Sequence, residues 1–341
     1  MASLRRHLSR AFVLVAVWAT PGVCADEIHW TIIGPTAVTF DWRGSETTLQ
    51  YGTTSSYDQI VTATTPSPLP FSSPGPFQEA QLVGLEANTL YHYSIGTGPD
   101  HTFRTPPPRG SSGFMIATEG DIGDVINYPH LASVQALIAG ASPAFVLMLG
   151  DLAYGNTNGQ QSVDQHFNDV MVWSQDAAYM PVWGNHEYES PALDDFRNYK
   201  GRFDLPNPQA SPGSPTEGCC GEDWSWFDYG NVRFIAYPEP YKDSTWTDWR
   251  IRANTLMDQA QADTAIRFIV TYGHRPAYSS GSHIGSSTLK VNLDALGDSH
   301  SKYMLNLNGH SHNYERSYPQ HGVVHLTVGT GGGSFEPDSP C

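Results

Sequence analysis

Phe145-Val-Leu-Met-Leu-Gly-Asp-Leu-Ala-Tyr154 is five apolar residues, a glycine, and then a carboxylate with a tyrosine three places on. An uninterrupted apolar run of this length reads as a strand covered on both faces. Four other runs have the same design: Phe114 to Ala117, Met180 to Trp183, Ile266 to Thr271 and Tyr303 to Leu307. Each is followed by glycine and a ligand-type residue: Gly120-Asp121, Gly184-Asn185-His186, Gly273-His274 and Gly309-His310-Ser311-His312. Helical spacing and boundary residues predict helices over about 129–139, 163–175, 247–262 and 288–297. Strands alternating with helices indicate an α/β sheet buried on its faces. Open α/β sheets gather ligands beyond the carboxyl ends of their strands. A glycine there permits the sharp turn that aims the next side chain into that crevice.

Residues 27–105 have a different texture. Ala37-Val-Thr-Phe-Asp-Trp42 and Thr89-Leu-Tyr-His-Tyr-Ser-Ile95 alternate apolar and polar residues between turn formers, which predicts a β-sandwich. Gly84-Leu-Glu-Ala-Asn-Thr-Leu-Tyr91-His-Tyr93 resembles the late-strand region of fibronectin type III-like domains, where a tyrosine pins a corner. Nothing in this part suggests catalysis. Thr105-Pro-Pro-Pro-Arg-Gly-Ser-Ser-Gly113 interrupts the chain as a semi-rigid linker. The expected organisation is a sandwich over 26–105, a linker over 106–113 and an α/β catalytic domain over 114–341.

Residues 1–25 read as an export signal: Arg5, Arg6 and Arg10, an apolar stretch from Ala11 to Ala19, then Val23-Cys24-Ala25 before Asp26. An extracellular or periplasmic location is expected. The full chain of 341 residues carries a formal charge of −16; without the signal, 15 basic groups face 34 acidic ones, giving −19. Such a surface repels nucleic acid and anionic membranes, which excludes both as expected partners. It also repels phosphate esters unless the site itself is strongly positive, as a pair of metal ions would make it. Cys219, Cys220 and Cys341 remain, an odd number, so at least one thiol is unpaired or pairs between chains. A disulfide from one of the first two to Cys341 is open.

The strand-end residues have a chemical logic as a set. Two ions sharing a carboxylate need about seven protein groups and sit roughly 3.5–4 Å apart, leaving positions for water and substrate. Asp, Tyr oxygen and His suit Fe³⁺; Asn, His and a shared Asp suit Zn²⁺, Mn²⁺ or Fe²⁺.

The series Gly120-Asp-Ile-Gly123, Gly150-Asp-Leu-Ala-Tyr154, Gly184-Asn-His-Glu187, His274 and Gly309-His-Ser-His312 resembles the metallophosphoesterases. The Gly-Asp-x-x-Tyr pattern narrows the resemblance to the purple acid phosphatases. Ser225-Trp-Phe-Asp-Tyr-Gly230 and Asn313-Tyr-Glu-Arg316 are similar to that family too. It implies an α/β/β/α sandwich behind the N-terminal β-sandwich. Carried over residue by residue, it implies that Asp121, Tyr154 and His312 hold a ferric ion. Asn185, His274 and His310 would hold a divalent one, with Asp151 bridging. His186 would bind phosphate or protonate the leaving group; His283, nine residues past His274, falls where the family places a substrate-contacting histidine. Asn185 would also lie against substrate. Members of the family usually continue past Gly329-Thr-Gly-Gly-Gly333, where this chain nears its end.

The expected activity is hydrolysis of small phosphomonoesters at acid pH by direct attack of a metal-bound hydroxide, with Asp151 and His186 as the catalytic side chains. The same site tuned to phosphodiesters, nucleotides or phytate is the alternative enzyme. A secreted binding protein with a structural metal site is the alternative from another class. Intact ligands and a non-ligand His186 speak for an enzyme, because a structural site needs neither an extra histidine nor open coordination.

Overall fold

A computed structural model describes residues 25–188, 195–214 and 221–336. The export segment (apart from Ala25), Cys219, Cys220 and Cys341 lie outside the described residues.

The N-terminal part is built from β1 (Asp26–Gly34), β2 (Ala37–Arg43), β3 (Thr48–Gly52), β4 (Gln59–Thr62), β5 (Phe77–Leu82), β6 (Leu90–Ile95) and β7 (His101–Arg104). They form two antiparallel sheets, ordered β1-β2-β5 and β4-β3-β6-β7. Alternation puts Val38, Phe40 and Trp42 of β2 in the core between the sheets. There Phe40 packs against Tyr93 at 4.5 Å and Phe103 at 5.2 Å between ring centroids. The corner expected at Tyr91 is present: its hydroxyl accepts the backbone N–H of Glu86 at 2.9 Å.

The polar positions of β1 and β2 do not face water. His29, Thr31, Thr39 and Asp41 are all buried, because this outer face of the sandwich packs on the C-terminal part. The His29 ring stacks on Phe167 at 4.8 Å, and the Thr39 hydroxyl donates to Asp204 at 2.8 Å. A module that the alternating pattern presents as half-solvated is therefore seated on its neighbour by a polar face.

The C-terminal part runs β8 (Ala117–Glu119), α1 (Leu131–Ala141), β9 (Phe145–Leu149), α2 (Gly155–Asn158), α3 (Gln161–Ser174), β10 (Ala178–Val182) and α4 (Asp195–Lys200). It continues with β11 (Trp226–Tyr229), β12 (Val232–Ala236), α5 (Thr245–Ala262), β13 (Phe268–Tyr272), α6 (Ser287–Ser299), β14 (Tyr303–Asn308), β15 (Tyr314–Arg316) and β16 (Val324–Val328). The apolar runs are divided between two sheets, β10-β9-β8 and β11-β12-β13-β14-β16-β15. Strand β9 shows why its sequence is apolar throughout. Phe145, Leu147 and Leu149 share a core with Phe234 of the second sheet. Val146 and Met148 pack with Leu131 of α1 and Phe167 of α3.

Strand β8 starts where the first apolar run was expected to end. Phe114 lies outside it, with its ring edge-on to Tyr229 at 4.8 Å. Between the parts, Gly110 donates to the carbonyl of Gly230 at 2.9 Å and Arg109 pairs with Asp228 at 3.0 Å, so the proline segment is tied down at its far end.

Strands β8, β9 and β10 are mutually parallel, as are β12, β13, β14 and β16. Their carboxyl ends therefore meet at one edge of the two sheets. Backbone bonds lock these ends together: Asp121 N–H to Gly150 O at 3.1 Å, Gly120 N–H to Val328 O at 2.9 Å, and Gly309 N–H to His274 O at 2.9 Å.

Candidate active site

The left-handed backbone at the strand ends falls mostly on the ligand-type residues themselves, a correction to the expected role of the glycines. Asp121 (φ 58°), Asp151 (φ 51°), Tyr154 (φ 55°) and His310 (φ 69°) all have positive φ. Non-glycine residues there store strain that the surrounding structure must hold, a frequent feature of functional sites. The glycine beside Asp151 serves a second purpose, close approach. A Cβ on Gly150 would stand 2.7 Å from the amide nitrogen of Gly184 and 2.8 Å from Nδ1 of His274.

Two groups of donor atoms converge at this edge. In the first, His274 Nε2 is 3.2 Å from Asp151 Oδ2, 3.1 Å from Asn185 Oδ1 and 3.1 Å from His310 Nδ1. Asp151, His274 and His310 meet the spacing of a metal-binding group. In the second, His312 Nε2 is 3.4 Å from Asp121 Oδ1 and 3.2 Å from the Tyr154 hydroxyl. The seven residues expected as ligands are thus brought together as four and three.

Several details suit cations between these atoms. His274 Nδ1 donates to the Leu149 carbonyl at 2.8 Å, and His312 Nδ1 to that of Ser334 at 2.9 Å. With Nδ1 so engaged, each ring faces Nε2 inward, the nitrogen that would be left to a cation once its proton is displaced, as in ligating histidines whose second partner fixes the ring. Asp121 Oδ1 is buried without a hydrogen-bond partner. Burial alone would raise the Asp151 carboxyl and lower His274. The mutual attraction of the pair wins, so Asp151 is held below the usual carboxylate range and His274 is pushed up to about 10, with Asp121 and Glu239 adding to the latter. So strong a negative field over a buried imidazole is one that a metal ion would neutralise. Burial, then the neighbouring His274 and Arg275, push His310 down.

His186 stands at the rim rather than among the donors, its side chain 28% exposed and Nε2 4.0 Å from Asp151 Oδ2. Its Nδ1 donates to Asn156 Oδ1 at 2.9 Å, and its ring centroid is 4.5 Å from that of Tyr154. His283 also reaches the site: its ring lies 4.3 Å from His310, and Nε2 pairs with Glu336 at 3.2 Å.

Sequence reasoning passed over four residues that shape the site. The Glu187 carboxylate accepts the backbone N–H groups of Asp151 (2.9 Å), Leu152 (2.9 Å) and Gly184 (2.6 Å). Asn156 sets the His186 ring. Glu315 accepts from the Ser279 hydroxyl at 2.7 Å and the Ser280 N–H at 2.7 Å, which anchors the loop carrying His283. Arg275 extends NH1 to within 3.2 Å of His310 Nε2. Glu187 and Glu315 stood inside quoted motifs, Gly184-Asn-His-Glu187 and Asn313-Tyr-Glu-Arg316, without a role read from them; Asn156 and Arg275 gave no signal, because their partners come from distant segments.

Comparison with known proteins agrees with this geometry. A family model described as calcineurin-like phosphoesterase matches residues 116–314, which include every donor named above. Purple acid phosphatase 22 of Arabidopsis thaliana is 25% identical over 280 residues, covering 77% of this chain and 60% of that protein. Acid phosphatase type 7 of Mus musculus is 24% identical over 341 residues, covering 88% of this chain and 72% of its own. The chain thus spans about three fifths of the plant relative. Among solved structures, the purple acid phosphatase PPD1 from yellow lupin (Lupinus luteus) superimposes with a TM-score of 0.73 at 18% identity, covering 93% of this chain and 66% of its own.

Proposed function

The chain belongs to the calcineurin-like phosphoesterase family, and from that membership we propose that it is an exported acid phosphatase cleaving small phosphate monoesters at an Fe(III)–M(II) centre. The observation that carries this reading is the convergence of an Asp–Tyr–His group and an Asn–His–His group around buried Asp151. Asp121, Tyr154 and His312 make a hard, anionic set suited to the ferric ion; Asn185, His274 and His310 suit Zn²⁺, Mn²⁺ or Fe²⁺, and Asp151 is assigned to both. Bound there, the ions would clamp the phosphoryl group and supply an acidified water even at low pH.

The chain's own residues do the rest. Asn156 fixes His186 at the rim with Nε2 facing Asp151 Oδ2 at 4.0 Å, where a proton on that nitrogen can pass to the departing alkoxide. Asn185 and His283 are assigned to substrate contact. Export rests on the basic-then-apolar pattern of residues 1–25. Among the described residues no helix is long and apolar enough to cross a membrane.

The test is turnover of p-nitrophenyl phosphate and of its bis-ester from pH 4 to 9, for the metal-loaded protein and its Asp151→Asn variant. Monoester hydrolysis at acid pH, at least about 10³-fold lower in the variant, supports the reading. Faster turnover of the bis-ester would move the assignment to phosphodiesters. No turnover of either by the metal-loaded protein would refute it.

A further inference from the structure

His283 stands on the segment between β13 and α6, whose two ends meet. The N–H of Ser286 donates to the Pro276 carbonyl at 2.8 Å, so residues 276–286 form a compact surface loop. Glu315 holds the first half of this loop through Ser279, Ser280 and the N–H of Gly281, the last at 3.1 Å. The second half is held by a different carboxylate. Glu336 Oε1 lies 3.2 Å from His283 Nε2, and the side chain of Ser282 approaches the same group.

Glu336 is itself fixed. Its N–H donates to the His312 carbonyl at 3.0 Å, and its Oε2 accepts the His312 N–H at 3.2 Å. Two residues earlier, the Ser334 carbonyl accepts His312 Nδ1 at 2.9 Å. One carboxylate thus bridges the strand end that bears His312 and the loop tip that bears His283, one oxygen to each. The consequence falls on His283. Its side chain is 44% exposed, and so free an imidazole loses rotamer entropy when substrate orders it, unless a partner has ordered it beforehand. With Nε2 taken by Glu336, the ring lies 4.3 Å from that of His310 and 6.3 Å from that of His312. Nδ1 is then the nitrogen left for a phosphate oxygen.

We propose that Glu336 is a positioning residue for substrate binding, which orders His283 beside the donor cluster before substrate arrives. The inference rests on the phosphatase reading and on the assignment of His283 to substrate, and it deepens both. The substrate side of the site is completed by a residue outside 116–314, the span that carries the ligand-type residues. A contact made alike in ground and transition states sets KM rather than kcat. Glu336 is therefore expected to act on KM, and to do so through His283.

The experiment is a double-mutant cycle on the metal-loaded protein. Glu336→Gln, His283→Ala and the double variant are compared with the wild type in p-nitrophenyl phosphate turnover and in calorimetric binding of inorganic phosphate, with metal content measured on each. Glutamine keeps an oxygen for the His312 N–H and turns an NH2 group toward His283, so it cuts one half of the bridge only. Glu336→Gln should raise KM and weaken phosphate binding roughly fivefold or more, with kcat within about threefold of wild type and metal retained. His283→Ala should do the same, and adding Glu336→Gln to it should change KM by less than about twofold. Glu336→Asp, which keeps the charge on a shorter reach, should fall between wild type and Glu336→Gln, and it carries the test where glutamine disturbs folding. Wild-type KM in both Glu336 variants, full multiplication of the two effects in the double variant, or a KM change accompanied by loss of metal overturns the proposal and leaves the phosphatase standing. A wild-type KM in His283→Ala overturns it together with the assignment of His283. No turnover by the wild type overturns the phosphatase reading as well.

Discussion

Glu187 accepts the backbone N–H of Asp151 at 2.9 Å, and this bond holds a carboxylate-bearing residue in the left-handed region. The same side chain accepts from Leu152 and Gly184, so one buried carboxylate ties the end of β9 to the turn after β10. Replacing it by Gln substitutes a donor for one acceptor and leaves an N–H unsatisfied. Glu187→Gln is expected to weaken metal retention about 10- to 100-fold, the usual cost of losing such an outer partner. Titration with a competing chelator reads this directly; retention equal to wild type would remove Glu187 from the account.

Gly150 tests the close approach of the two strand ends. Its φ of 82° disfavours any L side chain, and an added Cβ would press on the Gly184 amide and the His274 ring. Gly150→Ala should lose roughly 2 kcal/mol or more of stability, read by denaturant unfolding. The displaced His274 should also lower bound metal in the folded fraction. A variant unfolding at the wild-type midpoint would show that the strand ends have more room than the geometry allows.

His186 is predicted to matter in proportion to how poor the leaving group is. Protonation is most needed for a basic alkoxide and least for p-nitrophenolate. His186→Ala should reduce kcat about 10²-fold on phenyl phosphate and less than about tenfold on p-nitrophenyl phosphate. Equal losses on the two substrates would assign the residue to phosphate binding instead. Asn156→Ala should show a milder form of the same pattern, since Asn156 only orients the ring.

The buried face between sandwich and catalytic part gives a prediction on pH. Asp41 is fully buried, both of its oxygens lack hydrogen-bond partners, and it pairs in register with Glu79 on β5. Burial first, then the charges of Glu79 and Asp204, push its carboxyl well above the usual range. Over the interval between unfolded and folded values the native state holds the extra proton, so stability falls as pH rises. The contribution is complete below the unfolded value near 3.8 and is lost on approach to the folded one. Asp41→Asn removes a slope of up to about 1.4 kcal/mol per pH unit. Its unfolding midpoint, followed from pH 4 to 7, should decline less than that of the wild type. Parallel curves would show that Asp41 is ionised in the folded protein.

The parts of the site legible in the sequence were those where one residue carries both strand end and ligand. Asp151 follows its apolar run after a single glycine, so position and chemistry are read together, and His310 and His312, just past Gly309, are read in the same way. Glu187 was visible in Gly184-Asn-His-Glu187, but its role depends on how closely β9 and β10 approach, which no local pattern encodes. Arg275 was hidden for a different reason: its anchor Glu239 is 36 residues away in a stretch with no motif. In the fold, alternation located the core of the sandwich through Phe40 and Trp42. It could not show that His29 and Asp41 are buried, because a polar face packed on another part of the chain has the same pattern as one facing water.

The central claim is tested most directly by the visible absorption spectrum of the iron-loaded protein beside its Tyr154→Phe variant, with iron content measured on both. Tyr154 lies 3.2 Å from His312 Nε2 and is assigned as a phenolate on ferric iron, which requires a broad charge-transfer band. The account predicts that band in the wild type and its loss in the variant, with iron still bound to both. A wild type that binds ferric iron at this centre without the band, or a variant that keeps it, would contradict the assignment.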